Sequence, residues 1–171
     1  MVNLDEKRYV ALIGLSGCGK TTFSRMLSEK LNMRRVDTDD LIQQMSGHTI
    51  PELFSVSEDH FRDWEERALA SIAPDDHLIV ACGGGIIKRP ACRDILRRNA
   101  LVIYIDRPPE NICADVDTSG RPLLKNGAEQ IFRLYEERKA LYEETADVLV
   151  PNVGSREETL EIMADAIRFM L

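Results

Sequence analysis

The stretch Gly14-Leu15-Ser16-Gly17-Cys18-Gly19-Lys20-Thr21-Thr22 fits G-x-x-x-x-G-K-[ST], and its flanks narrow the fold more than any other part of the chain. Residues 9–13, Tyr-Val-Ala-Leu-Ile, form an unbroken apolar run, the pattern of a strand buried on both faces. Residues 22–31 carry Phe23, Met26, Leu27 and Leu31 at helical spacing. Strand, glycine-rich turn and helix are the context a phosphate-binding loop requires. Gly14, Gly17 and Gly19 let the backbone curl so that its N–H groups face one centre, and the following helix adds its positive end. Lys20 is then placed for the β- and γ-phosphates of a nucleotide, with the Thr21 hydroxyl for Mg2+. Cys18 and Thr22 complete the loop.

A short second strand at 34–37, Arg-Arg-Val-Asp, and apolar runs at 78–81, 101–105 and 148–150 alternate with helical segments. That alternation predicts an α/β fold with a parallel sheet, the loop lying at the carboxyl edge of a central strand. Spacing predicts helices over 58–73, 90–98 and 128–144, with Ser55-x-x-Glu58 and Ser155-x-x-Glu158 reading as capping boxes. The 171 residues fit one domain, 1–171, with two appendages: an insert over about 38–73 and a polar loop over about 115–127.

Composition excludes several classes. No apolar run reaches a membrane span, and the charged start of the chain contains no signal-peptide core, so a cytoplasmic protein is expected. A net charge of -7 argues against nucleic acid as the partner, and an anionic ligand then needs local Arg and Lys. The four cysteines show no metal-ligand spacing and read as reduced thiols.

Beyond the loop, Asp37 and Asp39 end the second strand, where one can face Mg2+ and the other a substrate hydroxyl. Arg62 with Glu65 and Glu66 has the spacing of a surface ion pair. Arg138 occupies a place where the stripe Ile131, Leu134, Tyr135, Leu141, Tyr142 asks for an apolar residue, so it needs an anion. Gly83, Gly84 and Gly85 follow a buried strand and allow close approach of a small ligand with free N–H donors. Arg121, in a Gly-Arg-Pro turn, is placed to swing over phosphates. Asp106 reads as a plain strand-end carboxylate.

Taken in order, the Gly17–Thr22 loop, Asp37-Thr38-Asp39, Phe61-Arg62-x-x-Glu65, Gly83-Gly84-Gly85, Arg121-Pro122-Leu123-Leu124 and Arg138 with Leu141-Tyr142 resemble the shikimate kinases over nearly the whole chain. The resemblance implies a three-layer α/β/α P-loop kinase fold, a five-stranded sheet of order 2-3-1-4-5 with a substrate-binding insert and a lid. It implies transfer of the γ-phosphoryl of ATP to the 3-hydroxyl of shikimate, with ATP and Mg2+ required and a monomer expected. Asp39, Arg62, Gly84 and Arg138 would hold shikimate, flanked by Gly83 and Gly85, with Glu65 orienting Arg62. Asp37 and Thr21 would serve the metal; Lys20, Asp39 and Arg121 would act in catalysis. Ala140 departs from the Pro that the family often has there, and Ala114, Asp115 and Asp117 stand where many members have an Arg packed on adenine. Arg156 is the substitute the sequence offers. A gluconate-type sugar-acid kinase is the nearest rival reading, and a non-catalytic ligand-sensing module on the same fold is the rival of another class.

Overall fold

A computed structural model describes residues 8–118 and 125–171. β1 (Tyr9–Ile13) is buried at every residue. Tyr9, Ala11 and Ile13 face one helical layer and Val10 and Leu12 the other, so the unbroken apolar run is what a two-sided strand requires. Around it lie β2 (Arg34–Asp37), β3 (Leu78–Ala81), β4 (Ala100–Asp106) and β5 (Val148–Pro151), all parallel in the order β2-β3-β1-β4-β5. Asp37 pairs in register with Ala81, Leu12 with Ala81, and Ile13 with Tyr104. The strand ends that carry Asp37, Cys82, Gly14 and Arg107 therefore share one edge of the sheet.

α1 (Lys20–Leu31) and α8 (Arg156–Met170) cover one face through Phe23, Leu27, Met163, Ala164 and Ile167. α5 (Pro90–Asn99) and α7 (Lys125–Thr145) cover the other through Cys92, Leu96 and Tyr142. Between β2 and β3 the chain makes α2 (Thr38–Ser46), α3 (Ile50–Val56) and α4 (Glu58–Ser71), which share a smaller core of Ile42, Leu53, Phe61 and Ala68. Among the described residues no helix is long and apolar enough to cross a membrane.

Two expectations on helix ends are corrected. Ser55 does not cap α4: α3 runs through Val56, so Ser55 lies in its last turn and donates to the Glu52 carbonyl at 2.5 Å. Ser57 is the cap, accepting the His60 N–H at 2.9 Å. The reciprocal capping box belongs to Thr49 and Glu52 at the start of α3. α6 (Pro109–Thr118) also continues past Asp115, and α7 starts at Lys125, so both ends of the expected 115–127 loop are helical. Ile112 of α6 is buried against Gly17, and Asp115 pairs with Arg107, which anchors that helix on the loop after β1. Arg121 lies outside the described residues.

Candidate active site

A cleft of about 620 Å3 opens at the carboxyl edge of the sheet. Its middle is the glycine-rich loop: Ser16, Gly17, Gly19, Lys20, Thr21 and Thr22 all line it. Gly14, Gly17 and Gly19 take φ of 148°, 87° and 111°. At Gly14 a Cβ would also stand 2.7 Å from the Ile105 carbonyl oxygen, so the loop can leave β1 only through glycine. α1 starts at Lys20 behind the N-cap Gly19, with no side-chain cap and no acidic residue in its first turn, leaving its N-terminal N–H groups to an anion. Lys20 is buried and folds back on the loop, its Nζ donating to the carbonyls of Gly14 at 2.6 Å and Leu15 at 3.0 Å. Cys18 is wholly buried; its sulfur accepts from Lys20 Nζ at 3.8 Å and its carbonyl accepts from Asn152 Nδ2 at 2.9 Å.

One end of the cleft is walled by Asp37, Asp39, Cys82, Gly83 and Gly84. Asp37 and Asp39 do not both end the second strand, as their position suggested; a helix cap separates them. Asp37 ends β2 and its Oδ1 accepts the Asp39 N–H at 2.9 Å, placing Asp39 in the first turn of α2. Between them the buried Thr38 hydroxyl accepts the Gly83 N–H at 2.9 Å. That bond occupies one of the donors expected to be free and brings Asp39 onto the glycine triplet. A Cβ at Gly83 would lie 3.1 Å from Asp39 Oδ1 and 3.2 Å from Glu65 Oε2, so both oxygens converge there.

Behind this wall Arg62 is buried, not on the surface. Its Nη1 donates to the buried Glu65 at 2.9 Å and its Nη2 to Glu58 at 3.4 Å, while Glu66 pairs with Arg89. The guanidinium lies against Gly85, where any side chain would collide with it, and its carbon sits 5.1 Å from the Phe61 ring centre. Gly85 thus seats Arg62 rather than lining the cleft. Arg138, half-buried on α7, brings Nη1 to 3.5 Å from a Cβ built on Gly84. It donates to the Tyr142 oxygen, and Tyr142 in turn donates to the Gly84 carbonyl at 2.5 Å. Burial pushes the Tyr142 hydroxyl up to about 12, so it remains a donor.

Five buried side-chain polar atoms among the described residues have no hydrogen-bond partner, and three of them are Asp39 Oδ1, Arg62 Nε and Glu65 Oε2. Unpaired buried polar atoms are costly and rare, so such a cluster points to a polar ligand. Burial raises the Asp39 carboxyl and the nearby Asp37 raises it further, against Lys20 and Arg62. Burial likewise raises Glu65, with Arg62 opposing.

The other end is formed by Arg107, Asp115, Asn152, Gly154 and Arg156. Arg156, exposed at the start of α8, lines the cleft. Arg107 and Asn152 were not anticipated. Their signal is positional: each directly follows the end of a strand on the ligand edge, the reasoning applied to Asp106. Asp106 itself stays off the cleft, accepting the hydroxyls of Tyr104 at 3.2 Å and Tyr135 at 3.0 Å.

The family described as Shikimate kinase matches residues 16–170. The chain is 46% identical over 146 residues to a shikimate kinase of Clostridium beijerinckii, covering 85% of this chain and 86% of that one. It superimposes with a TM-score of 0.84 on a shikimate kinase from Acinetobacter baumannii in complex with shikimate, 29% identical and covering 96% of each chain. A gluconokinase from Sinorhizobium meliloti, 16% identical with a TM-score of 0.60, covering 95% of this chain and 97% of that one, shares the fold alone.

Proposed function

The chain belongs to the shikimate kinase family of ATP-dependent phosphotransferases, and on that premise we propose that its cleft divides into a shikimate end and a nucleotide end, with the glycine-rich loop between them. The observation that carries this is the cluster of unpaired Asp39 Oδ1, Arg62 Nε and Glu65 Oε2 at one end only. Arg62 and Arg138, flanking Gly84 and Gly85, take the shikimate carboxylate; Glu65 holds Arg62 in place. Two arginines are how an acidic protein retains an acidic substrate.

Phosphoryl transfer passes through a loose transition state, so alignment and charge neutralisation do most of the work. Asp39 orients the 3-hydroxyl and takes its proton late, as the new O–P bond forms and the bond from the γ-phosphorus to the ADP oxygen breaks. The N–H groups of Gly17 to Thr22 hold the β- and γ-phosphates, and Lys20 leaves the loop's own carbonyls to meet them. Asp37 and Thr21, both on the cleft, are the hard oxygen donors that suit Mg2+. When bound, that ion neutralises charge on the phosphate oxygens.

Two variants separate the ends. Lys20→Met is expected to bind shikimate normally while kcat falls by roughly 100-fold or more. Gly85→Ala displaces Arg62, so shikimate affinity should drop ~10-fold or more with ADP affinity intact. Titration calorimetry and a coupled ADP-release assay read both. Loss of both ligands in either variant would refute the division.

A further inference from the structure

We propose that Asp106 is a positioning residue for Arg138: it fastens to the sheet the stretch of α7 that carries this guanidinium. The inference rests on the reading above that Arg138 takes the shikimate carboxylate. Arg62 is held by Glu65, but among the described residues no carboxylate pairs with Arg138, so its place depends on where α7 lies.

Tyr135, Arg138 and Tyr142 share one face of α7, each about a turn from the next. Tyr104 and Asp106, two apart on β4, share one face of the sheet. Asp106 accepts the Tyr135 hydroxyl at 3.0 Å, one turn before Arg138. It also accepts the Tyr104 hydroxyl at 3.2 Å, and the Tyr104 ring stacks on Tyr142, one turn beyond Arg138, with 5.0 Å between ring centres. One carboxylate thus joins the contacts on either side of Arg138. Burial, and after it the Asp106 charge, raises the Tyr104 phenol; burial, and after it the bond to Asp106, raises Tyr135, so both stay donors.

Asp106 is itself fixed. Its carbonyl accepts the Asn152 N–H at 2.8 Å, just past β5. The next residue, Arg107, donates from Nη1 to the Gly17 carbonyl at 3.0 Å, which ties this strand end to the phosphate loop. The anchor point is therefore set by the sheet edge and not by α7. Asp106 does not line the cleft, so it acts on shikimate only through what it holds.

The test is a double-mutant cycle on shikimate affinity. Asp106→Ala and Tyr135→Phe are made in the wild type and again in Arg138→Leu, and shikimate and ADP are titrated separately into each. Tyr135→Phe removes one oxygen and keeps the ring, so it tests the link without vacating the carboxylate site. In the wild type Tyr135→Phe should weaken shikimate ~5-fold and Asp106→Ala ~10-fold or more, with ADP affinity unchanged. KM for shikimate should rise by the same factor with kcat nearly intact. In the Arg138→Leu background neither change should weaken shikimate further. A fall in melting temperature with shikimate affinity unchanged overturns the proposal, since a merely structural anchor would do that. An equal loss of ADP and shikimate overturns it, as does a shikimate loss that persists in full without Arg138. An Arg138→Leu enzyme that binds shikimate normally would overturn the carboxylate reading itself, and this proposal with it.

Discussion

Asp39 must be ionised to accept a proton, and its surroundings decide the pH at which it is. Burial raises its carboxyl most, then Asp37; Asp40 adds to the rise, while Lys20 and Arg62 oppose it. Activity should therefore be lost as pH falls through a point above the ordinary Asp range of about 3.9. Asp40 is exposed and does not line the cleft, so Asp40→Asn removes a raising charge without touching the site. Its acid limb in kcat/KM should move to lower pH with little change in the plateau. A limb that stays in place would mean another group controls it.

The helix that carries Arg62 and Glu65 depends on how α3 hands over to α4. Ser57 caps α4, and Ser55 bonds only within α3. Ser57→Ala should cost about 1 kcal/mol in urea denaturation, and Ser55→Ala clearly less. The reverse order would restore the Ser55-x-x-Glu58 reading. Glu58, as the first residue of α4, is not needed as a cap partner and pairs instead with Lys88 and Arg62. Arg89 adds pairs to Asp59, Asp63 and Glu66, so the outer face of α4 is joined to the start of α5 by charge as well as by apolar packing. These outer pairs are solvent-facing and individually weak.

For the whole molecule, the consequence is linkage. Asp39 on the cleft and Arg62 and Glu65 just behind its wall carry unpaired polar atoms that a polar ligand can satisfy, so ligand binding should stabilise the fold visibly. A ligand at a hundred times its Kd adds about 2.7 kcal/mol. For a domain of this size that corresponds to a rise in Tm of roughly 5–10 °C. Differential scanning fluorimetry with ADP or with shikimate should show this for each ligand, and a flat response to both would argue against a site at this cleft.

What the sequence determined by itself is what a few neighbouring residues encode. Four of the five strands, the glycine-rich loop and the two-sided burial of β1 follow from apolar patterning and from backbone angles that only glycine takes readily, both local requirements. Arg138 also stood out locally, as a charge in an apolar stripe. Helix ends were less legible, because Ser55 and Ser57 offer equally good local caps and only the packing of α3 selects between them. The site's wiring was decided by the tertiary structure. Thr38 and Gly83 are 45 residues apart, and Arg107 and Gly17 are 90 apart. Arg62 has the i,i+3 spacing of an ordinary surface pair, and its burial arises only because β3 delivers a residue without a side chain, Gly85, beneath it. Such pairings carry no local signature, since each partner satisfies its own segment equally well with or without the other. They come into being only when the parallel sheet brings its strand ends to a single edge.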